Sequence, residues 1–112
     1  MSPLCDTQVT IYHRQGDTVT QRTEPACFYH YEDRLVPDGQ GLGFVRKFLL
    51  IQPGENPIYP GDKILAGEGP YITAVDWDTF LPENTPTLSV VTYAAARYFA
   101  GRLCHWEAGG VK

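Results

Sequence analysis

The chain has 112 residues, of which 43% are hydrophobic and 20% are charged, and its formal net charge is −4. These values indicate one soluble globular domain with a modest core. The acidic balance argues against an electrostatic nucleic-acid binder, because counterion release requires clustered lysine and arginine side chains. The sequence has no apolar run of membrane-spanning length and no signal peptide, so we expect no membrane partner and folding in the cytoplasm of the producing cell.

The turn and strand signals of a β protein begin at the N-terminus. Residues 8–13 and 18–23 are rich in β-branched residues and flank a turn at Gln15-Gly16-Asp17, which predicts a hairpin. We expect Pro25 to end the second strand. Residues 26–31, which are rich in aromatic side chains, should form a third strand. The nine prolines and eleven glycines of the whole chain disfavour any long helix.

A glycine-rich segment at residues 37–43 is interpreted as a flexible loop that a partner orders. The residues that we expect a partner to order are Asp38, Gly39, Gln40, Gly41, Leu42 and Gly43. A phosphate-binding loop would require a Lys-Ser or Lys-Thr pair and a following helix, whereas residues 44–51 predict a strand. The loop interpretation is therefore preferred.

The clearest local signal is the stretch IYPGDKILAGEGPYITAV. Pro60-Gly61-Asp62 predicts a turn, residues 63–65 a short strand, residues 67–70 a second turn and residues 71–75 a second strand, which together suggest a hairpin. We expect the first turn to set the strand register, so that Ile64 and residues 71–75 reach the core.

Asp62 has two interpretations. In the structural one its carboxylate accepts hydrogen bonds from backbone amides of the turn, so that Asp62→Asn, which keeps an acceptor, is expected to be mild. In the functional one Asp62 is a catalytic or metal-binding carboxylate. We favour the structural interpretation.

The C-terminal third is harder to assign. Asp76 and Asp78 are an acid pair of the kind that glycoside hydrolysis uses across a cleft, but two residues apart on an extended chain they are interpreted as a solvated turn. Residues 87–100 fit both a helical stripe and a strand, and we favour the strand. Residues 103–108 alternate in polarity, which predicts a last strand.

The possible nucleophiles and soft metal ligands are three cysteines and three histidines: Cys5, Cys27, Cys104, His13, His30 and His105. Their odd cysteine count predicts free thiols, and their spacing matches no zinc module, so we expect no metal and no cofactor. Cys104 and His105 point to opposite faces of a strand and form no dyad, and Cys27 is expected to be a packing thiol. We therefore predict a protein that is not an enzyme.

The fold that these signals predict is all-β, a small single-domain β-barrel or sandwich over residues 1–112, with long loops and at most one short helix.

Three longer stretches carry a resemblance to a known group of proteins. They are CDTQVTIYHR near the start, YPGDKILAGEG followed by YITAVDW in the centre, and CHWEAGG near the end. With them the chain resembles the small proteins that tailed phages and prophages of Gram-positive bacteria encode in the head–tail joining or minor capsid gene cluster. The likeness spans most of the chain, and each motif is a turn or strand signature.

The resemblance implies a compact β-barrel that acts as a head-closure (stopper) or related connector, without catalysis, at the head–tail interface of the virion. Its implied partners are further copies in a homo-oligomeric ring and the portal or adaptor and tail proteins of the same phage, with DNA passing nearby without specific binding. The alternatives are another minor capsid or tail-completion protein, and a small binding barrel of the OB type; an enzyme is the least favoured.

Overall fold

The computed structural model describes residues 6–37, 39, 42–82, 84–85 and 87–111. The strands are β1 (Thr7–Gln15), β2 (Thr18–Pro37), β3 (Leu42–Pro53), β4 (Lys63–Ala66), β5 (Leu88–Val90), β6 (Tyr93–Phe99) and β7 (Arg102–Val111). They form one antiparallel sheet, in the order β5-β4-β1-β2-β3-β7-β6, that curls into a half barrel. This confirms the predicted all-β, single-domain fold. The described part of the chain contains no helix that is long and apolar enough to cross a membrane.

The N-terminal hairpin forms where the sequence predicts it. Strands β1 and β2 pair from Gln15 and Thr18 onward, so the connection has two residues, Gly16 and Asp17. Gly16 has a φ of 62°, the conformation that a two-residue hairpin turn of type II′ requires at its first central position.

Strand β2 does not end at Pro25, contrary to the sequence prediction, and continues for 20 residues. Thr7 pairs with Cys27 while Val9 pairs with Glu24, so β2 has one more residue than β1 between these two pairs. This is a β-bulge, and a bulge tolerates proline because one residue is left out of the hydrogen-bonded ladder. The strand therefore passes Pro25 and pairs with two neighbours, with β1 from Thr18 to Cys27 and with β3 from Phe28 onward.

Among the residues that the structure describes, strands β2 and β3 extend together beyond the rest of the sheet. Their pairing runs from Phe28 with Ile51 to Pro37 with Leu42, whereas β7 pairs with β3 only from Lys47 onward. Residues 33–37 and 42–46 thus form a two-stranded ribbon, which we call the arm. At about 3.3 Å per residue its five residue pairs span about 17 Å, and the molecule measures 49 × 32 × 22 Å along its principal axes.

The arm corrects the predicted boundaries of the glycine-rich loop. Leu42 and Gly43 lie in β3, where they pair with Pro37 and Val36 of β2, because the hairpin ladder continues further than the glycine content suggests. Gly39 is exposed with a φ of 89°, as expected of a tight reversal between strands. Asp38, Gln40 and Gly41 lie outside the described residues.

Residues 71–75 are not a strand, so the predicted hairpin with β4 is wrong. Strand β4 is paired on one side with β1 and on the other with β5, which leaves no free edge for another strand. The segment instead runs over the surface and leads into a short 3-10 turn at Trp77–Thr79. Ile72 is buried there, but Tyr71 is 79% and Val75 89% exposed, so only Ile72 reaches the core.

The two edge strands of the sheet, β5 and β6, follow each other in the chain and are separated only by Val91 and Thr92. The amide of Val91 bonds to the carbonyl of Asp62, and the amide of Thr92 bonds to that of Gly109. This segment therefore links the first half of the sheet to the second. Residues 87–100 are β without helix, as predicted, and the last strand is confirmed as β7.

Two groups of buried side chains form the core. The larger contains Val9, Ile11, Cys27, Phe48, Leu50, Ile58, Ile64, Val91 and Ala108. The smaller contains Tyr12, Leu65, Ile72, Phe80 and Leu88. Cys27 and Ile64 are completely buried, which confirms both as packing residues.

The Tyr12 side chain belongs to the smaller group. Its hydroxyl donates a 2.7 Å hydrogen bond to the carbonyl of Pro70, and its ring meets the Phe80 ring edge-on at 4.8 Å. Burial raises the pKa of Tyr12 to about 12 from an ordinary 10.0. A Cβ at Gly69 would collide with the Tyr12 hydroxyl, so glycine is required beside the ring.

Tyr12→Phe is expected to cost about 1 kcal/mol near neutral pH, through the lost hydrogen bond to Pro70. Between pH 10.0 and about 12 the unfolded state loses the tyrosine proton before the folded state does. Stability is therefore lost as pH rises through this window, by up to about 2–3 kcal/mol at its upper end. Urea unfolding at pH 8 and at several points above pH 10 should show this loss in the wild type. The variant should be less alkali-sensitive by that amount, and equal sensitivity of the two proteins would contradict the assignment.

Candidate functional site

The turn that the sequence singled out is present. The amide of Asp62 donates a 3.0 Å bond to the carbonyl of Tyr59, which closes a four-residue β-turn. Pro60 and Gly61 are its central residues, and Gly61 has a φ of 93°. These are the features of a type II turn, in which proline precedes a glycine of positive φ. The amide of Gly61 also bonds to the carbonyl of Val91, so the turn is fixed to the segment that joins β5 and β6.

Asp62 is the last residue of this turn, and it is only 2% exposed. One carboxylate oxygen, Oδ2, accepts a 3.0 Å bond from the amide of Tyr59, as the structural interpretation predicted. The other, Oδ1, lies 2.6 Å from Nδ1 of His13 on β1. No local pattern predicts this second bond, because the two residues are 49 positions apart and meet through the pairing of β1 with β4.

A histidine held by a carboxylate is a common element of catalytic and metal sites, because the acid fixes the ring orientation and tautomer. Here the described contacts of the His13 ring are Asp62 and the Tyr59 ring, whose centroid lies 4.8 Å away. Both carboxylate oxygens of Asp62 are used within the fold. The arrangement ties β1 to the turn, and it fits the structural interpretation of Asp62.

Lys63, the next residue, is a buried cation that the sequence analysis missed. Its ammonium group donates two 2.6 Å hydrogen bonds, to the carbonyls of Trp77 and Phe80, and lies 4.2 Å from the centre of the Trp77 ring. Burial lowers the pKa of Lys63, and the charge of Asp78 opposes that shift. The side chain thereby fastens the 3-10 turn onto the sheet.

A second polar cluster holds the segment between β3 and β4. The guanidinium of Arg22 donates to Glu24 at 2.9 Å, to the side-chain oxygen of Gln52 at 2.8 Å and to the carbonyl of Pro57 at 3.0 Å. Gln52 is fully buried and donates in turn to the carbonyl of Asn56. A buried amide with both ends bonded is a structural feature of the loop and offers no free group for chemistry.

The remaining candidates are dispersed. Asp76 accepts bonds from the amide and hydroxyl of Thr73, while the Asp78 side chain is 88% exposed, as expected of a solvated turn. Cys104 is exposed and Cys27 lies in the core, while Cys5 is outside the described residues. Within the residues that the structure describes, no group of three or more histidine, cysteine, aspartate or glutamate side chains is placed to hold a metal ion.

Comparisons of the chain with protein-family models, with curated proteins and with solved structures find no match.

Proposed function

We propose that the protein is a non-catalytic structural subunit of the head–tail junction of a tailed bacteriophage, of the connector or stopper type. In this role several copies form a ring between the portal or adaptor and the tail. The ring is made in the cytoplasm of the bacterial host and retained in the virion, and DNA passes it without specific binding.

The observation that carries the proposal is the arm. A small sheet-based body with a hairpin that extends about 17 Å past the neighbouring strands, as far as these are described, offers two separate contact regions, one on the body and one on the arm. Strands with unpaired backbone edges can add to a partner's sheet or be ordered by it. These properties suit a subunit that touches more than one other protein in an assembly.

The polar clusters and the charge of the chain also support the proposal. The buried polar side chains of Asp62, Lys63 and Gln52 are each bonded within the fold, so their contacts contribute to a rigid body. The net charge of −4 would limit adhesion to phosphates beside a DNA channel.

A variant with a shortened arm tests this function. Replacing residues 34–45 by Asn-Gly leaves only these two residues between Asp33 and Arg46. Since Asp33 and Arg46 are paired in the ladder, a two-residue hairpin turn can close the shorter ribbon. In a phage from which the gene has been deleted, we expect the wild-type gene to restore infectious particles. The shortened gene should leave filled heads without tails, or heads that lose DNA.

The matched control is Lys47→Met, which changes an exposed residue at the base of the arm and should restore infectivity fully. The purified shortened protein should keep its far-UV circular dichroism, which separates a lost contact from a lost fold. Tailed, infectious particles from the gene deletion would contradict the proposal, as would virions that lack the protein by mass spectrometry. Salt-dependent binding of single-stranded oligonucleotides would instead favour the OB-type binding barrel.

A further inference from the structure

Strand β6 is an edge strand with few of the features that protect edges. Its inner side pairs with β7, and no described strand pairs with its outer side. The strand has no proline, and its one charged residue, Arg97, bonds to Glu107 of β7 at 2.8 Å. Three large side chains on it are exposed: Tyr93 at 47%, Tyr98 at 67% and Phe99 at 78%. An apolar, unprotected edge of this kind is a template for pairing with another chain.

We propose that this edge binds a second copy of the protein, with the two β6 strands antiparallel about a two-fold axis at Ala96. This contact does not depend on the proposed function, because it joins two copies whether or not a ring forms. Strand β6 is complementary to a second copy of itself in this register.

In that register each large exposed side chain faces a suitable position on the other copy. Tyr93 lies opposite Phe99 of the second copy, and Tyr98 lies opposite its Ala94. Aromatic side chains opposite one another are among the favourable cross-strand pairs. Centring the pair on Ala95 instead would leave Tyr98 and Phe99 beyond the end of the partner strand, so the Ala96 register is preferred.

The charges agree with the same register. Ala95 pairs with Glu107 of β7 on one side, and in the dimer it lies opposite Arg97 of the second copy on the other. The two charged residues are then two strand spacings apart, about 10 Å, with only the small alanine between them. Their long side chains span this gap, so each Arg97 can reach the Glu107 of both copies.

A charge-exchange experiment tests the contact. Arg97→Glu places two acidic residues in each row and Glu107→Arg places two basic ones, so each variant alone should be monomeric, near 12.5 kDa by sedimentation velocity. An equimolar mixture should form a one-to-one heterodimer, because every contact between the copies is then complementary. Contacts within each copy stay repulsive in the mixture, so recovery can come only from the contact between copies.

Wild-type protein should dimerise with a dissociation constant on the order of 10 µM, because one strand edge of seven residues buries less than a standard interface. A wild type that is monomeric at ten times that concentration overturns the proposal. So does a mixture of the two variants that stays monomeric, or either variant alone remaining dimeric. The shortened-arm variant should still dimerise; if it does not, β6 binds the arm of a neighbour instead.

The register has its own test. With Cys5→Ser and Cys104→Ser as background, Ala96→Cys places two thiols opposite each other at the axis, where mild oxidation should form an intermolecular disulfide. The matched control is Ala94→Cys, whose two copies are offset by about 13 Å along the strands, too far for a disulfide. Cross-linking of the control as readily as of Ala96→Cys would exclude the proposed register.

Discussion

Lys63→Met is expected to lower the free energy of unfolding by about 2–4 kcal/mol. Methionine fills most of the space, but it leaves the carbonyls of Trp77 and Phe80 without their donor and removes the contact with the Trp77 ring. The penalty that burial imposes on the ammonium is relieved in the variant, so the net loss is smaller than the sum of the contacts. Urea unfolding monitored by circular dichroism measures the effect.

The matched control is again Lys47→Met, since Lys47 is exposed and should change stability by less than about 0.5 kcal/mol. Hydrogen exchange adds a local measurement. The amide of Thr79 bonds to the carbonyl of Asp76, and that of Phe80 to the carbonyls of Asp76 and Trp77. Both amides should exchange faster in Lys63→Met, while those of β1 and β2 lose protection only to the global extent. Unchanged stability together with unchanged exchange would show that Lys63 does not fasten this turn.

Asp62→Ala is expected to cost about 2–3 kcal/mol, because the amide of Tyr59 and the ring of His13 both lose their acceptor. Asp62→Asn should cost about 1 kcal/mol, since its single side-chain oxygen can serve only one of the two donors. If Asp62 only accepted the turn amide, Asp62→Asn would be milder. The bond to His13 raises the loss of stability that we expect from this substitution. Glu55→Ala, at an exposed acid, is the control and should be close to neutral.

A double-mutant cycle with His13→Ala isolates the pair itself. We expect a coupling energy of about 1–2 kcal/mol between the two positions, because the residues are in direct contact. Additive effects of the two substitutions would mean that the bond between them contributes nothing. If Asp62→Asn folded with full stability yet lost assembly or any measured activity, the structural role of Asp62 would be wrong.

Local sequence signals predicted the parts of the fold that local chemistry controls. The Gly16-Asp17 and Pro60-Gly61 turns both need a residue with positive φ, which glycine adopts without strain. Because glycine marks such turns in the sequence, both were predicted at the correct positions. The strand predicted at residues 71–75 is wrong because strand formation depends on more than local chemistry. Their side chains favour strands, but strand formation needs a free edge to pair with, and β4 has both edges occupied.

The site residues that were missed depend on contacts between distant parts of the chain. His13 meets Asp62 because Tyr12 pairs with Lys63, a register that no local pattern encodes. Lys63 itself appeared in the sequence as the polar start of a short strand, where a solvated side chain is the usual outcome. Its burial follows from the 3-10 turn at Trp77–Thr79 folding over it. A turn was expected at Asp76 and Asp78, but as a solvated one, and no local pattern indicates that it packs on β4.

The continuity of β2 past Pro25 has a mechanical consequence. The bulge lies where β2 still pairs with β1, while the strand that enters the arm is laddered to β3 without a break. A ribbon built this way has no hinge at its base, so it bends and twists along its length but does not swing. The length of the arm therefore changes by about 3.3 Å for each residue pair added or removed. Residue pairs must be added or removed two at a time, about 6.6 Å, if the same face of the arm is to meet the partner.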